Sequence, residues 1–500
     1  MILLGYDLGS SSVKASLMDA FTGKWIASAF HPKTEMAINS TMPGFAEQNP
    51  ESWFENLIEA TREVLQTSGV DPHSIKAIGI SYQMHGLVLV DKAHKPLRPA
   101  IIWCDSRAVS IGEKAFLEIG PGRCLSSLLN SPGNFTAAKL KWVKDHEPDI
   151  FEKIHKFMLP GDYIAMRLTG EIATTFSGLS EGIFYDFNNY ALSDMVMEYF
   201  GFRHELVPTV LPTFSEQGRL SNSAASMLGL TPGIPITYRA GDQPNNAFSL
   251  NVLRPGEVAA TAGTSGVVYG ISDVICYDPE SRVNTFAHVN HSAEANRLGV
   301  LLCINGTGIT NSWLKRIASA GSLSYEQMNA MAAKVAVGSE GISVLPFGNG
   351  AERMLGNKAP GCSIEGLDFN RHGTAHLIRA AHEGIAFAFK YGMEIMHLTG
   401  IHPEVIRAGD SNMFLSPIFR QTLATISGNT IELYNTDGAQ GAARAAGLGA
   451  GIYKNFNDAF SGLKVVNTIY PEMDNVEKLS EAYQRWKFAL NSKSHQIENN

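Results

Sequence analysis

Twice in this chain a run of apolar and β-branched residues breaks into a short Gly/Ser/Thr loop and then resumes: ILLGYDLGSSSVKASLMDA from residue 2, and EVAATAGTSGVVYG from 257 to 270. A loop of this kind at a hairpin turn can gather amide and hydroxyl donors around an anion, which makes a phosphate cradle. Gly9 and Gly263 let the main chain come close to the anion. Ser10, Ser11 and Ser12 in the first loop, and Thr264 and Ser265 in the second, add hydroxyl donors. Asp7 ends the first strand, where a divalent cation beside phosphates would be welcome. Either loop alone is equally well an ordinary polar turn, but the pair in one shared context predicts two lobes around one nucleotide.

Two common nucleotide folds are excluded by the same segments. The Walker A pattern G-x-x-x-x-G-K-[ST] is absent, and a dinucleotide fingerprint should run from a strand straight into a helix. Here VKASLMDA and KWIASAFH follow the loop, split by Phe21-Thr22-Gly23, which predicts a β-meander.

A chain of 500 residues is too long for one core and calls for at least two large domains. With 40 Lys and Arg against 48 Asp and Glu, the net charge is −8, and no basic block offsets it. Nucleic acid and anionic membrane surfaces are therefore not expected partners. The five cysteines are scattered, with no C-x-x-C pair, which fits reduced thiols in a cytoplasm. No apolar stretch reaches the ~18 residues of a membrane span, and no export signal is expected.

Along the chain, Asn49 and Pro50 start a helix whose apolar residues Trp53, Phe54, Leu57, Ile58, Val64 and Leu65 recur at helical spacing until Gly69. The strand AIGIS then breaks at YQMHG before LVLVD. Helices with Gly/Pro punctuation fill 100 to 235, and the strand ITYRAGD leads to a lobe boundary near residue 252. The first lobe is thus expected at 1–252 and the second at 253–500, repeating the order of the first. That second lobe is expected to hold a long helix from about His372 to Thr399, the strand VIRAGD, and a helix capped by Ser416. The strand IELYN, a Gly/Ala-rich helix from about Gly441 and a helical tail complete it.

Taken in order, DLGSSS, QMHG, WCDSR, FTAAKLKWV, LPGDY, GDQ, TAGTSG and the late Gly/Ala helix resemble the FGGY carbohydrate kinases over about residues 1 to 455. The resemblance implies a two-lobed α/β fold of the actin-like, ribonuclease H-like ATPase class, with a nucleotide cleft between duplicated domains. It also implies transfer of the γ-phosphoryl of ATP to a sugar or polyol. QMHG and WCDSR are most similar to the xylulokinase branch, where the Met-His pair touches a ketose, so D-xylulose is the expected acceptor. Ribulose, sedoheptulose, gluconate and glycerol are its rivals. An acidic acceptor would call for an arginine in the pocket, and Arg107 is the one at hand.

The resemblance further implies Asp242 as the general base, although on its own residues it reads as a strand-end turn cap. Met84, His85, Trp103, Asp105 and Gln243 are expected around the sugar, and Trp103 is equally well plain core. Mg²⁺ is expected on Asp7 and Asp242. Adenine is expected near Gly409 and Asn412, in the loop Arg407-Ala408-Gly409-Asp410-Ser411-Asn412. His288 and His291 in HVNH have a metal-like spacing but no third ligand, so a structural role is expected. The alternative class is an actin-like or chaperone-like ATPase, which needs no hydroxyl-binding wall. Apolar positions on the late helices are compatible with a homodimer.

Overall fold

The computed structural model describes residues 1–319 and 321–498. The first Gly/Ser loop opens the expected meander: β1 (Ile2–Leu8), β2 (Val13–Asp19) and β3 (Trp25–His31) pair antiparallel in sequence. β4 (Ile75–Tyr82) joins the other side of β1 in parallel, and β5 (Ile236–Gly241) joins β4 in parallel. The resulting order is β5-β4-β1-β2-β3. The helix Pro50–Ser68 begins where Asn49 accepts the Glu51 amide and Pro50 occupies the first turn, and Gly69 ends it in a left-handed conformation. Its buried face of Trp53, Phe54, Leu57 and Val64 joins the core under β1 to β4.

The second loop opens a second sheet on the same plan. β6 (Val258–Ala262) and β7 (Gly266–Ser272) form the hairpin, β8 (Asn284–Ala287) and β9 (Leu298–Ile304) extend it, and β10 (Val405–Gly409), β11 (Thr430–Tyr434) and β12 (Val465–Ile469) lie on the other side. Among the described residues the order is β8-β9-β7-β6-β10-β11-β12. As in the first sheet, the hairpin is antiparallel and the next two strands, β10 and β11, add in parallel beside β6. The buried helix Thr374–His397 fills the core below, and Trp486 of the tail helix is buried with its indole N–H on the Val344 carbonyl at 2.9 Å.

The chain divides into two units, but not as two consecutive stretches. The first contains Met1–Leu253, Phe286–Leu298 and Thr436–Leu463; the second contains Arg254–Thr285, Gly299–Asn435 and Lys464–Asn500. An uninterrupted second lobe from 253 to 500 is therefore not what forms, because the HVNH segment and the late Gly/Ala helix fold with the first unit. The reason for the helix is steric. Gly5 of β1 and Gly79 of β4 are neighbours across the sheet. A Cβ on Gly5 would lie 1.9 Å from the Ala439 carbonyl, and one on Gly79 2.1 Å from that of Ala442. The bare sheet face and the small side chains of the helix Gly438–Gly449 let the two backbones meet directly. No helix among the described residues is long and apolar enough to cross a membrane.

Candidate active site

That glycine contact carries the start of the late helix to the end of β1. Asp437 caps the helix by accepting the Gln440 amide at 2.9 Å, and its other oxygen holds Lys14 at 2.9 Å. Gly438 comes so near Asp7 that a Cβ there would lie 2.4 Å from the carboxylate. Asp7 accepts the Ser81 hydroxyl of neighbouring β4 at 2.8 Å. Burial raises its pKa and Asp437 adds to the rise, against the Ser81 bond and Lys14.

Asp242 follows β5 and opens the helix Asp242–Ser249, so it is the first residue of a helix rather than of a turn. Burial, and then the Asp7 carboxylate, push its pKa up to about 7, against bonds from the amide and side chain of Gln243. Gln243 is thus a partner of the Asp242 carboxylate. Asn245, one turn on, donates to the Gly438 carbonyl at 2.9 Å and ties this helix to the turn beside Asp7. A carboxylate whose pKa is raised by burial and by a neighbouring carboxylate is in the electrostatic state a divalent cation relieves. Among the described residues no cluster of three or more His, Cys, Asp or Glu could hold a metal. A site of one or two carboxylates is what Mg²⁺ uses when it keeps several of its waters.

The first phosphate loop is held from outside. The Gly9 amide closes the turn on the Ser12 carbonyl at 3.0 Å, and the Met36 amide donates to the Ser11 carbonyl at 2.8 Å. Gln48 donates to the Ser10 carbonyl at 2.7 Å and accepts the Trp53 indole N–H at 3.0 Å, which links the loop to the helix Pro50–Ser68. Trp103 is 53% exposed and approaches the Ser10 hydroxyl with its indole N–H at 3.4 Å, so it is not core.

His85 sits where β4 breaks, with φ 60°, a backbone conformation that a non-glycine residue keeps only when its surroundings insist. They do. Its amide donates to the Glu181 carboxylate at 3.1 Å, its ring Nδ1 meets the Glu181 carbonyl at 2.9 Å, and its own carbonyl accepts Lys139 at 2.8 Å. A carbonyl only accepts, so Nδ1 carries a ring proton. The ring packs against Phe135 and Phe286. Met84 beside it is buried and fills the space a side chain on Gly241 would need.

Asp105 does not fit its expected role. It is fully buried, and its carboxylate accepts the Ala46 amide at 2.6 Å and the Arg107 amide at 2.9 Å, and pairs with the Arg107 guanidinium. Arg107, 1% exposed and stacked on Phe45, is spent on Asp105 and Glu47. The pair braces the WCDSR loop instead of facing a hydroxyl.

Three contributors had no assigned role. Glu181 is buried, accepts the Tyr82 hydroxyl at 2.5 Å as well as the His85 amide, and has its pKa raised well above the usual carboxylate range by burial. Lys139 is fully buried, bonded to the carbonyls of His85 and Ile102, and lowered by burial to about 7. It lies within FTAAKLKWV, so a lysine on the apolar face of that helix was the available signal. Asp437 and Gly438 lie just before the start expected for the Gly/Ala-rich helix, about Gly441, and open it instead. His288 and His291 are structural, as expected: His288 bonds the Val252 carbonyl and His291 the Tyr185 hydroxyl and the Arg297 amide.

In the second unit the Gly263–Ser265 turn abuts the start of the helix Gly308–Ser319. The Gly308 amide donates to the Gly263 carbonyl at 2.8 Å and the Ile309 amide to that of Thr264 at 3.2 Å. A cavity of about 500 Å³ opens beside them, lined by Thr264, Gly308, Asn311, Asn329, Asn412 and Ser416 among others. Gly263 and Asn412 are in that lining. Gly409 is not: it ends β10, and Asn412 turns into the cavity with φ 53°.

Comparison with known proteins shows the family. The N-terminal domain model of the FGGY family of carbohydrate kinases matches residues 2–249 and its C-terminal domain model residues 258–450. The chain is 30% identical to the xylulose kinase of Escherichia coli K12, over 94% of each protein, and 29% identical to that of Bacillus subtilis 168, over 97% of this chain and 96% of the relative. The crystal structure of xylulose kinase from Rhodospirillum rubrum superposes with a TM-score of 0.89 at 25% identity, over 100% of both chains.

Proposed function

Because the chain belongs to the FGGY family of carbohydrate kinases, we propose that it transfers the γ-phosphoryl of ATP to D-xylulose, giving D-xylulose 5-phosphate, with Asp242 accepting the hydroxyl proton. The observation that carries this reading is the carboxylate pair at two strand ends of one sheet, in which burial and Asp7 push Asp242 up to about 7. A base of that strength is ionised in a large fraction of molecules near neutral pH and still basic enough to take a proton as the new P–O bond forms, help worth ~10²- to 10⁴-fold.

The other roles follow the same geometry. Asp7, with Asp242 beside it, would hold Mg²⁺ through its water shell, and such an ion neutralises charge on the transferring phosphoryl. Gly9, Ser10, Ser11 and Ser12 of the first unit and Gly263, Thr264 and Ser265 of the second are the proposed phosphate contacts. Adenine is proposed in the second unit's cavity, against Asn412. Met84, His85 and Trp103 form the proposed sugar wall. The burial of Arg107 supports a neutral ketose over an acidic acceptor. The five free thiols support a reducing, cytoplasmic setting.

The test is a coupled ADP-release assay over D-xylulose, D-ribulose, sedoheptulose, gluconate and glycerol. D-xylulose should give the highest kcat/KM. A clear preference for another acceptor overturns the substrate, and ATP turnover indifferent to every acceptor overturns the kinase.

A further inference from the structure

Behind the second unit's cavity lies a buried polar chain that the reaction above does not use. His382, in the middle of the helix Thr374–His397, is 1% exposed. Its Nε2 meets the Asn311 side-chain amide at 3.0 Å and its Nδ1 the Ser416 hydroxyl at 3.1 Å. Ser416 in turn meets the Asn329 side-chain amide at 2.8 Å and accepts the Phe419 backbone N–H at 3.3 Å. Asn311, Asn329 and Ser416 line the cavity, and His382 stands behind them.

Counting protons constrains this chain. Burial, with Arg379 adding, pushes His382 down to about 4, so the ring carries one proton. If both asparagines turned their oxygens toward the chain, Nε2–H would serve Asn311, Ser416 would serve Asn329, and Nδ1 would need a second proton. If both turned their NH₂ groups inward, the Ser416 hydroxyl proton would have no acceptor. The neutral ring permits two arrangements. In one, Asn311 donates to Nε2, Nδ1–H donates to Ser416, and Ser416 donates to the Asn329 oxygen. In the other, every bond reverses. Either way one asparagine gives its oxygen to the chain and the other its NH₂, so the halves left to the cavity are one donor and one acceptor.

We propose that His382 is a positioning residue that couples Asn311 and Asn329 into a donor–acceptor pair facing the cavity, matched to a purine bearing a polar group at C6 next to ring nitrogen N1. Adenine offers such an edge, with its 6-amino donor beside N1. A purine with hydrogen at C6 leaves one asparagine half unpaired, and a buried polar group left unpaired is what a site of this kind discriminates against. The inference rests on the placement of the base in this cavity, and it assigns what sets the base preference there.

The probe is purine riboside triphosphate, which lacks the 6-amino group, compared with ATP at saturating ketose. Wild type should prefer ATP by about tenfold in kcat/KM, the size of one hydrogen bond. His382→Leu should shrink that preference to within about twofold, chiefly through KM for ATP, with the ketose KM unmoved. His382→Gln, smaller and polar, should lower it in the same direction and carries the test if the leucine variant does not fold. Equal use of both nucleotides by wild type, or a folded variant that keeps the full preference, overturns the proposal. Asn329→Ala separates the two layers of argument: an unchanged KM for ATP there sinks the placement of the base itself.

Discussion

The two units share one topology and spend it differently. In each, an antiparallel hairpin with a Gly/Ser/Thr turn is followed by two parallel strands beside its first strand. In the first unit the strand ends carry carboxylates: Asp7 ends β1, and Asp242 follows β5. In the second, the residue at the place of Asp7 two positions before the loop glycine is Thr261, and the residue after β11 is Asn435. The first unit accepts the electrostatic penalty that Asp7 imposes on Asp242, which suits the chemical role proposed for it. The second has a cavity in which amides and hydroxyls mix with apolar side chains such as Ile309, Met413 and Leu415 and the carboxylate of Glu326, a lining that suits the binding role proposed for it. Topology decides where a site lies, and the residues at the strand ends decide what it does.

The sharpest way to break this contrast is Asp242→Asn. The amide is nearly isosteric but takes no proton, so kcat should fall by ~10²- to 10⁴-fold while calorimetry still finds ATP and ketose bound. The wild-type rate should itself show an acid limb. The base works only when ionised, so turnover should fall at acid pH, in a range that the Mg²⁺ proposed beside Asp242 lowers from about 7, and the limb should be missing from the residual activity of the variant. Near-normal turnover in the asparagine variant would mean that the first unit's carboxylates are structural after all.

The second unit should answer differently. A Cβ on Gly308 would lie 2.4 Å from the Gly263 carbonyl, which is backbone and cannot swing away. Gly308→Ala should therefore push the phosphate turn out of place and raise the KM for ATP by roughly tenfold or more, the effect of overpacking by 1–3 kcal/mol. The ketose KM should stay within about twofold of wild type, since the proposed sugar wall lies in the other unit. Initial-rate measurements varying each substrate in turn check this, and an equal rise in both constants would erase the division of labour.

How much of this could be read from the chain depended on whether a contact is local. The Gly9–Ser12 and Gly263–Ser265 turns, the capped helix Pro50–Ser68 and the helix after Ser416 were legible because each is written in a few consecutive residues. The late helix was legible as a helix, but its unit was not. Its place depends on Gly5 and Gly79 being neighbours, a fact of register that exists only once the sheet has formed. Asp105 looked like a sugar ligand because a pattern cannot reveal that the Ala46 amide and Arg107 occupy its carboxylate. Glu181 gave no signal, since its bond to the His85 amide spans 96 residues.

Glu181 allows a finer cut within the first unit. Glu181→Leu leaves the His85 amide buried without an acceptor, a penalty of about 1–3 kcal/mol, so the ketose KM should rise by about tenfold with the ATP KM unchanged. Glu181→Gln keeps an oxygen for the His85 amide, and the Tyr82 hydroxyl can accept from the new NH₂, so its ketose KM should stay within about threefold. If glutamine is as damaging as leucine, the charge of Glu181 matters and its bonds do not.

The smallest effect tests whether the first unit's chemistry weakens its fold. The folded-state pKa of Asp242 is raised to about 7, so between the ordinary carboxylate range and pH 7 the native protein binds more protons than the unfolded chain. Stability from this group is therefore full below the unfolded pKa and lost as pH rises through about 7. Asparagine cannot ionise and escapes that loss. Asp242→Asn should melt roughly 2–4 °C above wild type at pH 8, with the gap narrowing at pH 6. A gap that is the same at both values would attribute the change to packing; a wild type more stable than the variant at pH 8 would mean that Asp242 is not held at an electrostatic disadvantage, and the carboxylates would lose the feature that distinguishes them from Thr261 and Asn435 at the matching places of the second unit.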